Sequence, residues 1–133
     1  MADYTVKRID ELDAAVGGAF KRARAELGVE AFGMQVMDLP ANMGDAFPAH
    51  DHSDSGQEEV YVVMSGKGEI EIDGESVPLD TETIVRVGPT SRRTFRTNGE
   101  PMRLLALGGV PGQAYEPGPS SQIGGPEPVP ASS

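Results

Sequence analysis

The sequence contains no cysteine and no tryptophan, and only two of its 133 residues are histidines. Without cysteine, disulfides and thiolate metal sites are excluded. Basic residues are also scarce, since 11 lysines and arginines stand against 21 aspartates and glutamates, which gives a net charge of −10. Because phosphate groups repel an acidic chain, we expect neither nucleic acid nor an anionic membrane as a partner.

Long apolar segments are missing as well. The stretch MADYTVKRIDELDAAVGG lacks the apolar core of a signal peptide, and no run approaches the roughly 20 apolar residues that span a bilayer. We therefore expect a cytoplasmic protein. Residues 113–133 are rich in proline, glycine and serine. Because such a segment buries too little apolar surface to offset the entropy of ordering it, we predict a flexible C-terminal tail.

The first 31 residues predict a helical segment that packs on the main domain. Apolar residues recur with helical spacing between residues 9 and 27, and Gly28 suits a C-terminal stop. Gly17 and Gly18 lie in the middle of this stretch. Each glycine costs about 1 kcal/mol relative to alanine, so the helix is weakest at this point.

From residue 32 the pattern changes to short apolar runs separated by turn residues. Asp73–Gly74 and Asn98–Gly99 are typical hairpin dipeptides. Eight strands are predicted within a domain over residues 32–112, namely 32–38, 46–52, 58–64, 68–73, 75–79, 83–87, 92–97 and 102–107. Short strands in this number indicate an all-β fold, an antiparallel sandwich or barrel.

The run from Val60 to Met64 is continuously apolar, whereas a strand with one wet face alternates apolar and polar residues. Both faces of this strand should therefore be covered. The barrel interior covers one face, and either the N-terminal segment or a second subunit covers the other. The pattern thus favours a homodimer.

The two histidines, His50 and His52, are separated by one residue, so on a strand both imidazoles project to the same side. A hairpin would return the chain antiparallel through Glu59, which shares a face with Tyr61. Two imidazoles and one carboxylate suit divalent Fe, Mn, Ni or Zn and leave positions open for a substrate. Taken without its flanking residues, the same pair of histidines is also typical of a solvated loop.

The pattern Gly44-x5-His50-x-His52 followed by Glu59-x6-Gly66 resembles the first motif of the cupin superfamily, G-x5-H-x-H-x3/4-E-x6-G. The outer spacings match, but six residues separate His52 from Glu59. The resemblance implies a cupin-type antiparallel jelly-roll barrel with its site in the interior. It also implies a divalent metal ion held by His50, His52 and Glu59, with a small-molecule ligand beside it.

The second motif of the family, G-x5-P-x-G-x2-H-x3-N, lacks its histidine here, because none follows His52. One alignment places Arg93 at the position of the missing ligand. An alignment shifted by one residue places Thr94 there and matches Asn98 to the final asparagine. The first alignment is preferred because it turns Phe95 inward together with Arg93.

An arginine at this position leaves two hypotheses, since a guanidinium stays protonated and cannot ligate a cation. Arg93 either pairs with Glu59 in a metal-free binding or sensing module, or clamps an anionic group of a metal-bound substrate. The leading interpretation is a small cupin that binds a divalent metal and a small polar or anionic molecule. Arg93 and Tyr61, the latter as cavity wall, are the candidate substrate-binding residues. Fold alone selects no reaction, so catalysis stays open.

Overall fold

The computed structural model describes residues 2–128, most of them in strands and loops. One short α-helix, α1, covers Ala23–Leu27. The strands are β1 (Ala14–Ala15), β2 (Phe20–Lys21), β3 (Gly33–Leu39), β4 (Glu58–Gly66), β5 (Gly68–Ile72), β6 (Glu75–Leu79), β7 (Ile84–Val87), β8 (Arg93–Arg96) and β9 (Met102–Gly109). Within these residues no helix is both long and apolar enough to cross a membrane. The cytoplasmic location stays a prediction.

The strands form two antiparallel sheets that enclose a common core. The larger sheet has the order β1-β2-β3-β9-β4-β7, and the smaller one has the order β6-β5-β8. Tyr61 of β4 meets Phe95 of β8 edge to face across the interior, with ring centroids 4.8 Å apart. The predicted all-β jelly roll is therefore confirmed, although the strand pairing among the described residues leaves two sheets and does not close a barrel.

Seven of the eight predicted strands are present to within about two residues at each end. The strand predicted over residues 46–52 is wrong, because this segment forms only an isolated bridge between His50 and Arg93. Gly44 has a left-handed φ of 59°, and Pro48 has no N–H to donate to a neighbouring strand. The chain therefore reaches the histidines as a loop.

The helix predicted between residues 9 and 27 is wrong in its extent, since only Ala23–Leu27 is α-helical. Val16, Gly17 and Gly18 have φ of 54°, 62° and 95°, values that no right-handed α-helix accommodates. The chain turns back at these residues and adds β1 and β2 to the edge of the large sheet. Gly28, with φ of 77°, ends α1 as predicted.

The C-terminal segment lies against the N-terminal segment. The guanidinium of Arg22, 2% exposed, donates to the carbonyl oxygens of Ser120, Gly125 and Pro126 at 2.7, 2.8 and 3.1 Å. The same guanidinium pairs with Asp13 at 2.6 Å. A buried arginine therefore ties the two ends of the described chain together.

These contacts do not measure mobility, so the flexible tail expected for residues 113–133 stays a prediction. Composition predicts little apolar burial for this segment, and Ser121 is nevertheless buried at 5% exposure. The segment is held by polar contacts of its carbonyl groups, which composition does not reveal. Residues 129–133 lie outside the described part of the chain, and the domain boundaries at residues 31 and 112 stay predictions.

The outward face of β4 is covered only in part. Val60 and Val62 are partly buried, whereas Met64 is 43% exposed and Ile84 of the neighbouring β7 is 72% exposed. Helix α1 contacts β3, which is separated from β4 by β9 in the large sheet. The homodimer predicted from the apolar run therefore stays a prediction.

Candidate metal and ligand site

The candidate site lies at one end of the large sheet, where Glu59 opens the inward-facing side of β4. Its cross-strand neighbours are Val87 of β7 and Gly108 of β9. Gly108 in turn pairs with Gly33 of β3. The next inward residue on β4 is Tyr61, which begins the apolar core. A carboxylate thus stands at the boundary between the core and the end of the sheet, beside two glycines.

The histidines approach this carboxylate from the opposite sheet. The backbone of His50 exchanges two hydrogen bonds with Arg93 of β8, at 3.0 and 2.8 Å, and the N–H of His52 donates to the carbonyl of Pro89 at 2.8 Å. The hairpin predicted between the histidines and Glu59 is therefore wrong. Sequence spacing alone could not show that the histidine segment pairs with β8, about forty residues downstream.

The three residues predicted as metal ligands lie together. One ligand atom from each of His50, His52 and Glu59 lies within 4.8 Å of the others. His52 Nε2 is 3.0 Å from Glu59 Oε1. His50 Nδ1 donates to the carbonyl of Pro48 at 3.2 Å, which leaves Nε2 of the neutral ring with a lone pair. The donor types and their spacing fit a divalent metal ion.

One oxygen of the Glu59 carboxylate accepts most of the hydrogen bonds. Oε1 accepts from His52, from Arg93 Nη1 at 2.9 Å and from the Tyr61 hydroxyl. Among the described residues, Oε2 accepts only a long hydrogen bond of 3.4 Å from Gln57 Nε2. Burial alone raises the pKa of the Glu59 carboxyl, but the hydrogen bonds from His52 and Tyr61 and the charge of Arg93 outweigh it and lower the pKa. Glu59 is therefore a carboxylate at neutral pH.

Arg93 is 0% exposed and supplies the positive charge of the site. Its Nη1 binds Glu59, its Nη2 donates to the carbonyl of Gly88 at 2.7 Å, and its Nε has no hydrogen-bond partner among the described residues. Thr94, the alternative in the shifted alignment, donates its hydroxyl to the carbonyl of Phe47. Arg93 rather than Thr94 is therefore the residue in contact with the predicted ligands.

The pKa values of Tyr61 and His50, two residues close to the Glu59 carboxylate, are also shifted. Burial, together with the charge of Glu59, raises the pKa of the Tyr61 hydroxyl well above its ordinary value of 10.0, so Tyr61 remains a hydrogen-bond donor. Burial lowers the pKa of His50 against the opposing effect of its hydrogen bond to Pro48. The neutral imidazole, which is the form that ligates metals, is therefore favoured.

Residues near the site that sequence reasoning misses include Gln57, Gly108 and Tyr115. A Cβ at Gly108 would lie 2.8 Å from Gln57 Nε2, and a Cβ at Gly33 would lie 3.0 Å from the Tyr115 hydroxyl. The side chains of Gln57 and Tyr115 thus fill the space that the two glycines leave free. Only Gln57 carried a signal in the sequence, because it precedes Glu59 by two residues and so shares its side of the strand.

Comparison with known proteins agrees with this fold. The family profile of the cupin domain matches residues 39–108, which is more than half of the chain. The protein belongs to the cupin family. A search of curated proteins found no match for this cupin.

Solved structures similar to this cupin include a cupin protein from Bacteroides fragilis. It is 25% identical, and the alignment covers 89% of this chain and 93% of that one with a TM-score of 0.69. The cupin domain of an XRE family transcriptional regulator from Enterobacter cloacae is 26% identical over 63% of this chain and 86% of that one, with a TM-score of 0.52. A protein with a double-stranded β-helix domain from Klebsiella pneumoniae, 18% identical over 83% and 92% of the two chains, shares the fold at a TM-score of 0.60.

Proposed function

We propose that this cupin binds a divalent metal ion through His50, His52 and Glu59, together with a small polar or anionic molecule that contacts Arg93. The observation that carries the proposal is the convergence of three ligand atoms within 4.8 Å of one another. Two imidazoles and one carboxylate suit Fe, Mn, Ni or Zn and leave coordination positions for a further ligand. When bound, such an ion polarises an oxygen of that ligand as a Lewis acid.

Charge balance favours an anion as the small molecule. The negative charge of Glu59 is already paired with the buried guanidinium of Arg93. A divalent ion added between neutral imidazoles leaves excess positive charge in a poorly solvated site, and an uncompensated buried charge costs several kcal/mol. A carboxylate or phosphate group near both the ion and Arg93 removes this excess, and guanidinium groups bind such anions in a bidentate manner.

The contact between Arg93 and Glu59 favours a second candidate function, a non-catalytic module that binds a small molecule without metal. The hydrogen bonds from Arg93, His52 and Tyr61 satisfy Glu59 Oε1 without any ion. A guanidinium about 5 Å from a divalent ion is repelled by several kcal/mol even at an effective dielectric constant near 20. The similar cupin domain from Enterobacter cloacae is part of a transcriptional regulator, which is consistent with a sensing role.

Metal titration of tag-free, chelator-treated protein separates the two functions. Under the first proposal, calorimetry with Zn, Ni, Mn and Fe shows one ion per chain for at least one of them, and millimolar malonate tightens its binding. Metal ligation through His52 Nε2 also requires the ring proton to move to Nδ1, because Nε2 donates to Glu59 in the metal-free protein.

Variants of neighbouring residues provide the controls for this titration. His50→Ala, His52→Ala and Glu59→Gln should each abolish metal binding, and because the chain has only two histidines no other imidazole can replace them. Glu58→Gln should bind as the wild type does, since Glu58 is paired with Arg86 at 2.7 Å on the outward face. A protein that takes up none of the four ions, with or without malonate, overturns the first proposal in favour of the second.

A further inference from the structure

The segment between His52 and Glu59 is longer than the cupin motif allows. Part of this longer segment forms a turn directly after His52. The N–H groups of Ser55 and Gly56 donate to the carbonyl of His52 at 3.2 and 2.8 Å, which forms a compact turn. Gly56 has a φ of 77°, which favours glycine at this turn. Gln57 is the residue between this turn and the start of β4.

The side chain of Gln57 lies directly beside the candidate site. Its Nε2 donates to Glu59 Oε2 at 3.4 Å. Gly108 is the cross-strand partner of Glu59, and a Cβ there would lie 2.8 Å from Nε2 and 2.9 Å from Cδ of Gln57. Gln57 thus occupies the space above Gly108, and any larger residue at position 108 would have to displace it.

The two oxygens of the Glu59 carboxylate differ in how many hydrogen bonds they already accept. Oε1 accepts hydrogen bonds from His52, Arg93 and Tyr61, whereas Gln57 is the partner of Oε2 among the described residues. With one partner against three, Oε2 is the oxygen that can more readily accept another partner. The carboxylate is held at Oε1 by three groups of the core and the opposite sheet, and at Oε2 by Gln57 alone.

We propose that Gln57 is a positioning residue that fixes the orientation of the Glu59 carboxylate, and that the turn after His52 and the absence of a side chain at Gly108 place it there. Groups that hydrogen-bond to a ligating carboxylate control how well that carboxylate binds its metal. The consequence for metal affinity rests on the proposed function, whereas the contact between Gln57 and Glu59 does not require a metal.

The contact can be tested in metal-free protein by following the side-chain amide resonances of Gln57 in an ¹H–¹⁵N correlation spectrum. We expect them to shift in Glu59→Gln and in Gly108→Ala. Gly109→Ala is the matched control, because a Cβ at Gly109 would meet no heavy atom within 4 Å. Unchanged Gln57 resonances in Gly108→Ala overturn the proposal.

Calorimetric titration with Ni²⁺ tests the consequence for the site. Gln57→Ala and Gly108→Ala should bind the ion about 10- to 100-fold more weakly than the wild type, as is usual when a hydrogen-bond partner of a metal ligand is lost. Gly109→Ala should keep the wild-type affinity, and melting of each metal-free variant verifies that it is folded. Wild-type affinity in Gln57→Ala overturns the positioning role while the proposed function stands. If the wild type binds no metal, the proposed function fails and the resonance test still decides the role of Gln57.

Discussion

Arg93 Nη1 lies 2.9 Å from Glu59 Oε1, so a guanidinium occupies one oxygen of the carboxylate that the cupin motif assigns to the metal. Arg93 belongs to β8 of the small sheet and Glu59 to β4 of the large one, so the pair links both sheets. Removing one partner of such a buried pair leaves the other charge uncompensated. The pair is therefore both a structural contact and the feature that distinguishes the two proposed functions.

The first prediction concerns the effect of Arg93 on metal and anion binding. In Arg93→Gln the repulsion between guanidinium and metal is removed, so metal affinity should rise at least about tenfold in calorimetric titration. The same variant should lose the increase in metal affinity that malonate produces, because the anion has lost its guanidinium partner. Arg93→Lys, which keeps the charge, should retain part of that increase.

The control for Arg93→Gln is Arg86→Gln, which removes the same charge from the outward face, where the Arg86 side chain is 63% exposed. Its metal affinity and its response to malonate should match those of the wild type. Circular dichroism verifies that both variants are folded. An Arg93→Gln protein that is folded and shows wild-type metal and malonate binding would contradict the role of Arg93 in the site.

The second prediction concerns the hydroxyl of Tyr61, which donates to the Glu59 carboxylate inside the core. A hydrogen bond to a charged group contributes about 1.5–3 kcal/mol, so Tyr61→Phe should lower the free energy of unfolding of the metal-free protein by about that amount. Urea denaturation measures the change. Tyr4→Phe is the control, since Tyr4 is 77% exposed and should leave stability unchanged. Equal stability of Tyr61→Phe and the wild type would argue against the hydrogen bond.

The third prediction concerns the C-terminal segment held by Arg22. Arg22→Met removes hydrogen bonds to Ser120, Gly125 and Pro126 and should lower the free energy of unfolding by at least about 2 kcal/mol. Truncation after residue 117 removes the same contacts from the other side and should destabilise to a similar extent. Because the two changes affect one set of contacts, their effects should not add in the double variant.

Arg8→Met serves as the control for this series, because the side chain of Arg8 is 76% exposed and pairs only with Asp10 among the described residues. Thermal melting should show a clear decrease for Arg22→Met and for the truncated chain, and none for Arg8→Met. Full additivity of the truncation and Arg22→Met would show that the segment is not held by this guanidinium.

The sequence predicts most of the sheet strands because their apolar runs are bounded by turn dipeptides such as Asp73–Gly74. It fails for residues 9–27, where the helical spacing of apolar residues is real but Val16 and the two glycines after it adopt positive φ. The periodicity of apolar residues does not reveal that β2 pairs with β3. This pairing supplies the backbone hydrogen bonds that a helix would otherwise make.

The sequence also predicts only part of the candidate site, again because pairing between distant segments leaves no local pattern. His50, His52 and Glu59 follow from the motif, and Arg93 follows from its alignment. The partner strand of the histidine segment does not follow from it, because β8 is distant in sequence. The spacing of Gln57 from Glu59 gives a weak signal, but the place of Gln57 beside the site also depends on Gly108 across the sheet, and the sequence does not show that Gly108 pairs with Glu59.

The fourth prediction concerns the ion pair of Asp38 and Arg103 on the outward face of the large sheet, with contacts at 2.6 and 3.0 Å. The hydrogen bonds from Arg103, helped by Lys21 and opposed by burial, lower the pKa of the Asp38 carboxyl. Because the folded pKa lies below the unfolded one, near 3.9, the pair stabilises the fold fully above about pH 4–5. This contribution is lost as the pH falls through the lower folded pKa.

Asp38→Asn should therefore be less stable than the wild type by about 0.5–1 kcal/mol near pH 6, as is usual for partly exposed ion pairs. The difference should shrink toward zero between about pH 4 and pH 2. Thermal melts across this range measure it, with Asp54→Asn in the exposed turn as the control. A difference that stays constant with pH would show that the loss of stability has another cause than the ionised pair.

The fifth prediction concerns the outward face of the large sheet as the contact between two copies of the chain. Val62 lies between Ile84 and Leu105 on this face, and Val60 lies beside Leu107 in the next row. Ile84 is 72% exposed at the edge of this apolar area. Exposed apolar area of this kind marks an interaction surface in many soluble proteins.

Ion pairs at both ends of this apolar area support a second copy as the partner, since Arg86–Glu58 and Arg103–Asp38 each carry both signs of charge. Two copies related by a two-fold axis can then place opposite charges against each other around an apolar centre. Light scattering after size exclusion should give a dimer for the wild type and a monomer for Ile84→Lys. Ile123→Lys changes an isoleucine that is 59% exposed in the C-terminal segment and that belongs to none of the strands on this face, and it should remain dimeric. A wild type that is monomeric at about 100 μM would exclude this face as a stable interface, because a stable homodimer dissociates only well below that concentration.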